Sequence, residues 1–336
     1  MTRRLRSRSA RVRAVLALIC AALLGGAWPA VVGAQGSVAT EGALFLLVPV
    51  GARTVAQGQA GVASRLGADG VFWNPAASGW LTRRELTVDH GSNAFITSDA
   101  ISAVIPAGMA GTLAVALHYF NFGDQTATDE FGNSTGTIYA RAMVLGGTYA
   151  ATFGDRVSAG VSYKFIRNEQ SCGGACAGLQ TYSISTTAYD FGVQAVVDTA
   201  RKITAGVALR NAGFGLQTVD REQADPLPAR LHAGLTWEVD AVTRAAPGVS
   251  LALSGELVTK STFRGVSYRV GGEAWFADRF AVRAGFITNS GDRSNAAIGF
   301  GLRQGTLGLE FARTFGGESA DAGSPPTYVT LRIGFK

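Results

Sequence analysis

The sequence predicts an all-β fold: a 14-stranded antiparallel transmembrane β-barrel with an N-terminal plug inside the lumen. Only 16% of the 336 residues are charged and 44 are Gly, whereas soluble domains average roughly 25% charged residues. Apolar and polar residues alternate from Arg84 to the end of the chain. After residue 35 no apolar run approaches the ~18 to 20 residues that a membrane-spanning helix requires, which excludes a helical membrane protein.

The first 34 residues are predicted to be a signal peptide. Residues 1–13 carry six Arg and no acid, residues 14–24 are apolar, and small residues precede Gln35. This order is typical of a signal that is removed after export. A twin-Arg signal at Arg3 and Arg4 is the alternative, but polar and basic residues follow that pair.

The net charge of +6 comes from this signal. Without its six Arg, the chain retains 24 basic residues against 24 acidic ones. A neutral mature chain lacks the basic excess of a nucleic-acid-binding protein. We therefore expect no nucleic-acid partner.

Two cysteines remain outside the signal, Cys172 and Cys176, in a stretch that also contains two Gly. An exported chain folds in an oxidising compartment, where two nearby thiols can form a disulfide. A metal site would need further Cys or His nearby, and this stretch has none. We expect a disulfide that closes a loop.

The strands are predicted from a period of two. Between Val157 and Phe165 apolar residues alternate with Ser, Gly and Lys, as they do in a strand with one apolar face. Fourteen such segments follow one another: 84–91, 98–106, 111–122, 138–152, 155–168, 180–197, 201–213, 227–238, 248–258, 264–276, 279–288, 295–303, 305–315 and 327–335.

The connections between these segments favour a membrane barrel. Most connections after even-numbered strands are short, while several after odd-numbered strands are long and polar: residues 123–137, 169–179, 214–226 and 316–326. Barrels of the bacterial outer membrane have short periplasmic turns and long outer loops, which would place both chain ends at the periplasmic, short-turn end. The alternative is a soluble β-sandwich or barrel, but a soluble barrel would have its polar face outside, whereas here the large apolar residues form the face that lipid would cover. We expect barrel residues 83–336 to lie in the outer membrane of a Gram-negative-type bacterium.

Residues 35–82 differ from the rest because they are rich in Ala, Gly and Val without a period of two. A 14-stranded lumen is too wide for its own side chains to fill. We therefore expect this segment to be a plug inside the barrel. A periplasmic tail is the alternative.

The same segment carries a family resemblance. Residues 45–53, 58–63 and 73–76 together resemble the N-terminal signature of the PorV/PorQ family of outer-membrane proteins. The Asn-Pro-Ala turn is similar to one in FadL, the long-chain fatty acid transporter, whose barrel also has fourteen strands. The motif residues are Pro49, Gly51, Arg53, Gly58, Trp73, Asn74 and Pro75. Pro49 and Pro75 would fix turns, Asn74 would cap one, and Arg53 would pair with a carboxylate of the lumen.

The resemblance implies a function in type IX protein secretion, as a shuttle that binds exported cargo proteins and passes them to subunits of the secretion machinery. Residues 123–137 and 169–179 would contact the cargo. The alternative is a FadL-like transporter of long-chain fatty acids or other hydrophobic compounds, with residues 48–50 and 72–73 forming an apolar pocket. The partners are then outer-membrane lipid and either cargo proteins or a hydrophobic small molecule.

No catalytic motif is visible. The three His, at positions 90, 118 and 232, lie in no nucleophile elbow and no zinc-binding helix. A barrel lipase could still assemble a triad from separate strands. We expect a protein that is not an enzyme and has no cofactor and no metal.

Overall fold

The computed structural model describes residues 41–176, 179, 181–216, 224–260, 265–289, 292–317 and 322–335. The predicted signal peptide lies outside these residues. Fourteen strands form one closed antiparallel barrel. They are β1 Arg84–Ser92, β2 Thr97–Pro106, β3 Thr112–Thr128, β4 Ser134–Phe153, β5 Val157–Gly174, β6 Tyr182–Asp198, β7 Ile203–Gly213, β8 Arg230–Glu238, β9 Val249–Lys260, β10 Val266–Phe276, β11 Phe280–Asn289, β12 Asp292–Gln304, β13 Leu307–Phe315 and β14 Thr327–Phe335.

The first and last strands close the barrel. Strand β1 pairs with β14 from Arg84 opposite Phe335 to Ser92 opposite Thr327, and with β2 on its other side. Every strand therefore has two hydrogen-bonded neighbours, which removes the free edges that an open sheet would leave in lipid. The predicted fold class is confirmed.

The barrel is apolar outside and polar inside. On β5, Val161, Tyr163 and Phe165 are 37 to 46% exposed, whereas Ser162 and Lys164 between them are buried. The other strands repeat this arrangement, with large apolar side chains around the outer surface. A soluble protein reverses it, so this surface is typical of a barrel covered by lipid.

Strands β3 to β6 extend beyond the others at the end of the barrel that carries the long connections. They have 17 to 20 residues, while most of the others have 9 to 13. Much of the predicted loops 123–137 and 169–179 is therefore strand. Pairing of β3 with β4 continues to Thr128 opposite Ser134. The start of β6 agrees with the predicted position 180 within two residues. The extensions of β3 to β5 were not predicted because both of their faces meet water, so no apolar alternation marks them.

The segment from residue 41 to 82 contains short helices. Helix α1 spans Ala52–Ala56, and 3₁₀ helices span Leu44–Leu47, Ala68–Phe72 and Pro75–Trp80. Helix α1 contacts β11 to β14, and Pro75–Trp80 contacts β3 to β6, so the segment touches opposite sides of the lumen. We call residues 41–82 the plug. Two further short helices lie in connections, the 3₁₀ helix Gly108–Ala110 and α2, Asp240–Ala245.

The plug runs from one end of the barrel to the other. Glu41 lies at the long-loop end, beside Arg230 and Lys260, while Leu81 precedes β1 at the short-turn end. The chain was expected to have both ends at the short-turn end. This holds for Phe335 of β14, but the first described residue is at the opposite end because the plug crosses the lumen. Within the described part of the chain, no helix has the length and apolar character needed to cross a membrane.

Candidate functional site

The turn at Gly51 sets the start of helix α1. Gly51 has φ of +87°, which glycine adopts without strain. A Cβ there would lie 2.7 Å from Asp69 Oδ2, so a side chain would collide with that carboxylate. The next residue, Ala52, donates its backbone N–H to Thr330 Oγ1 at 2.8 Å. The turn thus ties the plug to β14.

Arg53 is held by a carboxylate of the barrel wall. Its Nε and Nη2 donate to Glu273 Oε2 and Oε1 at 2.9 and 2.7 Å, a bidentate pair. Glu273 also accepts from Arg283 Nε at 2.6 Å. Burial lowers the Arg53 pKa, but the facing carboxylate outweighs this effect and raises it, so Arg53 remains charged.

A second arginine extends this ionic contact. Arg332 on β14 reaches Asp69 of the plug at 3.0 Å, Glu85 of β1 at 2.5 Å and Glu310 of β13 at 3.7 Å. Glu310 in turn lies 3.5 Å from Arg283. These groups join the plug to β10, β11, β13, β14 and β1. We call these five strands the ionic wall.

Trp73, Asn74 and Pro75 form a buried turn. Trp73 Nε1 donates to the backbone oxygen of Val50 at 2.9 Å. Asn74 is fully buried; its Oδ1 accepts from Ala76 N at 3.0 Å, and its Nδ2 donates to Val62 O at 2.8 Å. Asn74 therefore caps the 3₁₀ helix that begins at Pro75. This turn joins three parts of the plug.

Gly58 marks a close approach between plug and wall. Its φ is +61°, and a Cβ there would lie 2.6 Å from Phe286 N and Val270 O. The wall residues facing this turn are also glycines: a Cβ on Gly271 would collide with Gln57, and one on Gly285 would collide with Gly58. These contacts need glycine on both sides.

An apolar cavity lies between the plug and strands β3 to β5. Its volume is about 40 Å³. The plug contributes Leu46, Val48, Pro49, Val50, Val71, Phe72 and Trp73, and the barrel contributes Ala116, His118, Val144, Gly146, Thr148, Ser162, Lys164 and Arg210. The cavity includes all of the residues predicted to form an apolar pocket, 48–50 and 72–73. We call β3 to β5 the cavity wall.

A larger and more polar cavity of about 470 Å³ adjoins it towards the long-loop end. Both cavities are lined by Pro49, Trp73 and Arg210. The Arg210 guanidinium lies 5.6 Å from the centre of the Trp73 ring, and its Nε is buried without a hydrogen-bond partner among the described residues. Trp73 and Arg210 therefore mark the junction between an apolar space and a polar one.

The histidines have structural contacts. His118 packs against Phe120, with ring centres 3.9 Å apart, and against Phe72 at 5.8 Å. His232 Nδ1 lies 2.7 Å from Glu256 Oε1, and Glu256 also accepts the backbone N–H of Val62 at 2.8 Å. Across the described ranges, no three His, Cys, Asp or Glu residues lie close enough together to hold a metal ion.

Cys172 and Cys176 form a disulfide with their Cα atoms 6.1 Å apart. It lies where β5 ends, at the tip of the extended sheet.

Sequence reasoning missed Asp69, Gln194 and Thr330, which hold the plug. A polar residue on the lumen face of a strand is the one signal that could have indicated the latter two.

No family model and no curated protein matches the chain. Among solved structures, the toluene transporter TbuX of Ralstonia pickettii has a TM-score of 0.57 and 14% identity, over 85% of this chain and 98% of that one. The CymD monoaromatic hydrocarbon channel has a TM-score of 0.57 and 13% identity, over 86% and 97%. A FadL homologue of Pseudomonas aeruginosa has a TM-score of 0.50 and 14% identity, over 86% and 98%.

The structural similarity shows a shared barrel fold, and at identities of 13 to 14% it shows the fold alone. The resemblance to the FadL barrel agrees with this fold, whereas the PorV/PorQ resemblance finds no support in the comparisons and stays a prediction. The same is true of type IX secretion. These neighbours are a transporter, a channel and a FadL homologue, and the expectation that this chain is not an enzyme also stays a prediction.

Proposed function

We propose that this chain is an outer-membrane barrel that lets hydrophobic small molecules cross the membrane. The observation that carries the proposal is the apolar cavity between the plug and the cavity wall. Most of the lumen is lined by polar and charged groups, so an apolar cavity within it is suited to an apolar ligand. The similar barrels of a toluene transporter and a hydrocarbon channel support this assignment.

The outer surface of the barrel supports the proposed membrane location. Its large exposed apolar side chains would be costly in water and are favourable in lipid. The proposed orientation has the short turns in the periplasm and the extended strands β3 to β6 outside the cell. A signal peptide in residues 1–34 would direct export.

Passage requires the plug to move. An engineered cavity that binds benzene has a volume of about 150 Å³, and the cavity here has about 40 Å³. A ring of that size does not fit unless Val48, Val50 or Phe72 shifts. We therefore assign the structure to a closed state, in which the ligand site is present but contracted.

The test is uptake of radiolabelled toluene by cells that express the full chain. Ala116 lines the cavity from β3, and an Ala116→Leu side chain would occupy the space. Ala205→Leu, on the outward face of β7, is the matched control. We expect wild type and Ala205→Leu to accelerate uptake and Ala116→Leu to lose most of that gain. Equal uptake with all three chains, or with none of them, would contradict the proposal.

The cargo shuttle is the second candidate. It rests on the PorV/PorQ resemblance and on one structural feature: Phe131, at the tip of the β3–β4 hairpin, is 88% exposed, and exposed aromatic side chains are frequent in protein contacts. The test is mass spectrometry of what co-purifies with the tagged chain. A secreted protein that is retained by wild type and by Phe153→Ser, at the opposite end of β4, but lost with Phe131→Ser would favour the shuttle.

A further inference from the structure

A third cavity opens at the short-turn end of the barrel. It has a volume of about 220 Å³ and lies between the end of the plug and strands β1, β12 and β14. Its charged lining residues are Arg53, Arg65, Arg83, Arg303, Arg332 and Glu85. Five guanidinium groups against one carboxylate is an unusual balance for one cavity, since like charges repel unless counter-charges are close.

Two of the five arginines are paired with carboxylates. Arg53 pairs with Glu273, and Arg332 pairs with Asp69, Glu85 and Glu310. Of the carboxylates in the described ranges, Arg83 reaches only Glu85, at 3.9 Å, which Arg332 already holds at 2.5 Å. The ionic wall therefore accounts for the inner guanidinium groups of the cavity but not for the outer ones.

Arg65 and Arg303 have no carboxylate partner among the described residues. Each lies on the face of a tryptophan instead: Arg65 is 4.5 Å from the ring centre of Trp80, and Arg303 is 4.2 Å from that of Trp275. Stacking orients a guanidinium and leaves its N–H groups at the ring edge free to donate. The two cations are thus positioned at the cavity before any ligand arrives.

We propose that this cavity binds an oxyanion, the carboxylate or phosphate group of a small molecule, through Arg65 and Arg303, with Arg83 at its mouth. Planar guanidinium groups match such oxygens by paired, charge-assisted hydrogen bonds. The bound anion supplies the negative charge that the outer arginines lack. The volume leaves room for an organic group beside the anion.

This site is separate from the apolar cavity. The two cavities have no lining residue in common. The inference does not depend on hydrocarbon transport, because anion binding is measured directly on the purified protein. Loss of toluene uptake and loss of anion binding are distinct results.

The experiment is isothermal titration of the full chain, purified in neutral detergent, with inorganic phosphate and separately with benzoate. Arg65→Gln and Arg303→Gln each remove one charge and keep a polar side chain. Arg201→Gln is the matched control, because Arg201 is 77% exposed in the β6–β7 turn at the same end of the barrel. Thermal unfolding of each variant verifies that the barrel is folded.

We expect saturable binding by wild type and Arg201→Gln, about tenfold weaker binding by each single cavity variant, and none by the double variant, since a hydrogen bond to a charged group contributes about that much. Added NaCl should weaken the binding. Saturation by phosphate alone identifies a phosphate site, and saturation by benzoate alone identifies a carboxylate site. Binding of neither anion, or binding unchanged in the double variant, overturns the proposal.

Discussion

The plug meets the barrel in two different ways. Against the ionic wall it is held by bidentate and networked ion pairs through Arg53 and Asp69. Against the cavity wall, Val48, Val50 and Phe72 leave an apolar space unfilled. Buried ion pairs have a narrow geometry and are costly to break, whereas apolar contacts are non-directional and can shift. The plug is therefore anchored at the ionic wall, whereas Val48, Val50 and Phe72 can shift beside the apolar cavity.

The largest effect is expected when one charge is removed from the ionic wall, which tests whether its ion pairs anchor the plug. Glu273→Gln leaves Arg53 and Arg283 without their shared carboxylate, and breaking a buried pair costs about 3 to 5 kcal/mol. We expect a loss of that order in the free energy of unfolding, measured with urea by tryptophan fluorescence, and increased entry of large antibiotics into cells.

Two controls accompany Glu273→Gln. Glu238→Gln changes an exposed acid on β8 and should have almost no effect. Combining Glu273→Gln with Arg53→Met removes one of the unpaired charges and should recover part of the loss. If Glu273→Gln and Glu238→Gln behaved alike, the ionic wall would not be an anchor.

Asn74→Ala tests the turn that connects the two sides. The variant leaves Ala76 N without its cap and removes the donor to Val62 O. We expect destabilisation of about 1 to 2 kcal/mol in the same urea assay. Asn74→Ser retains a capping oxygen and should lose less than Asn74→Ala. An equal loss in both variants would show that the cap itself contributes nothing.

Phe72→Leu tests whether the plug can shift where it faces the apolar cavity. The smaller side chain enlarges the apolar cavity, and because the residue is only half-buried we expect a cost of about 1 kcal/mol, at the low end for large-to-small substitutions. Toluene uptake should rise. Phe95→Leu, at an exposed position between β1 and β2, is the control. A larger loss of stability than that caused by Glu273→Gln would reverse the assignment of anchored and yielding sides.

The smallest expected effect is a pH dependence at the long-loop end. The hydrogen bonds from Arg230 are the main reason that the pKa of Glu41 lies below its ordinary value, and they outweigh burial, which raises it. A lowered pKa in the folded state means that the stabilisation is present at neutral pH and is lost as the pH falls through the folded pKa. We expect the stability difference between wild type and Glu41→Gln to shrink as the pH falls from about 5 to about 3. A difference that is constant with pH would show that the ion pair does not contribute.

The strand pattern was predictable because lipid and lumen make opposite demands on alternate residues. All fourteen strands appear at their predicted places, and the ends of several agree within two residues, as with β13 and β14. Prediction failed at the long-loop end, in the extensions of β3 to β5, where both faces of the sheet contact water and the alternation is lost.

The candidate site was predictable in part. The short apolar runs at residues 48–50 and 72–73 indicated a pocket, since apolar side chains are expected to pack against other apolar groups. Their partners on the barrel, such as Ala116 and Val144, could not be found from local sequence. The pairing of Arg53 was expected only with some lumen carboxylate, and its partner Glu273 is 220 positions away along the chain.

The sequence alone therefore determined the barrel, its strand number and its inside-out polarity, because these follow from a period of two that every strand repeats locally. Only the tertiary structure decided which carboxylate holds which arginine and where the apolar space remains. It also decided that Arg65 and Arg303 each have a tryptophan and, among the described residues, no carboxylate partner. These features depend on how the plug is rotated and seated in the lumen. That placement arises from contacts between residues far apart in the chain, for which local periodicity carries no signal.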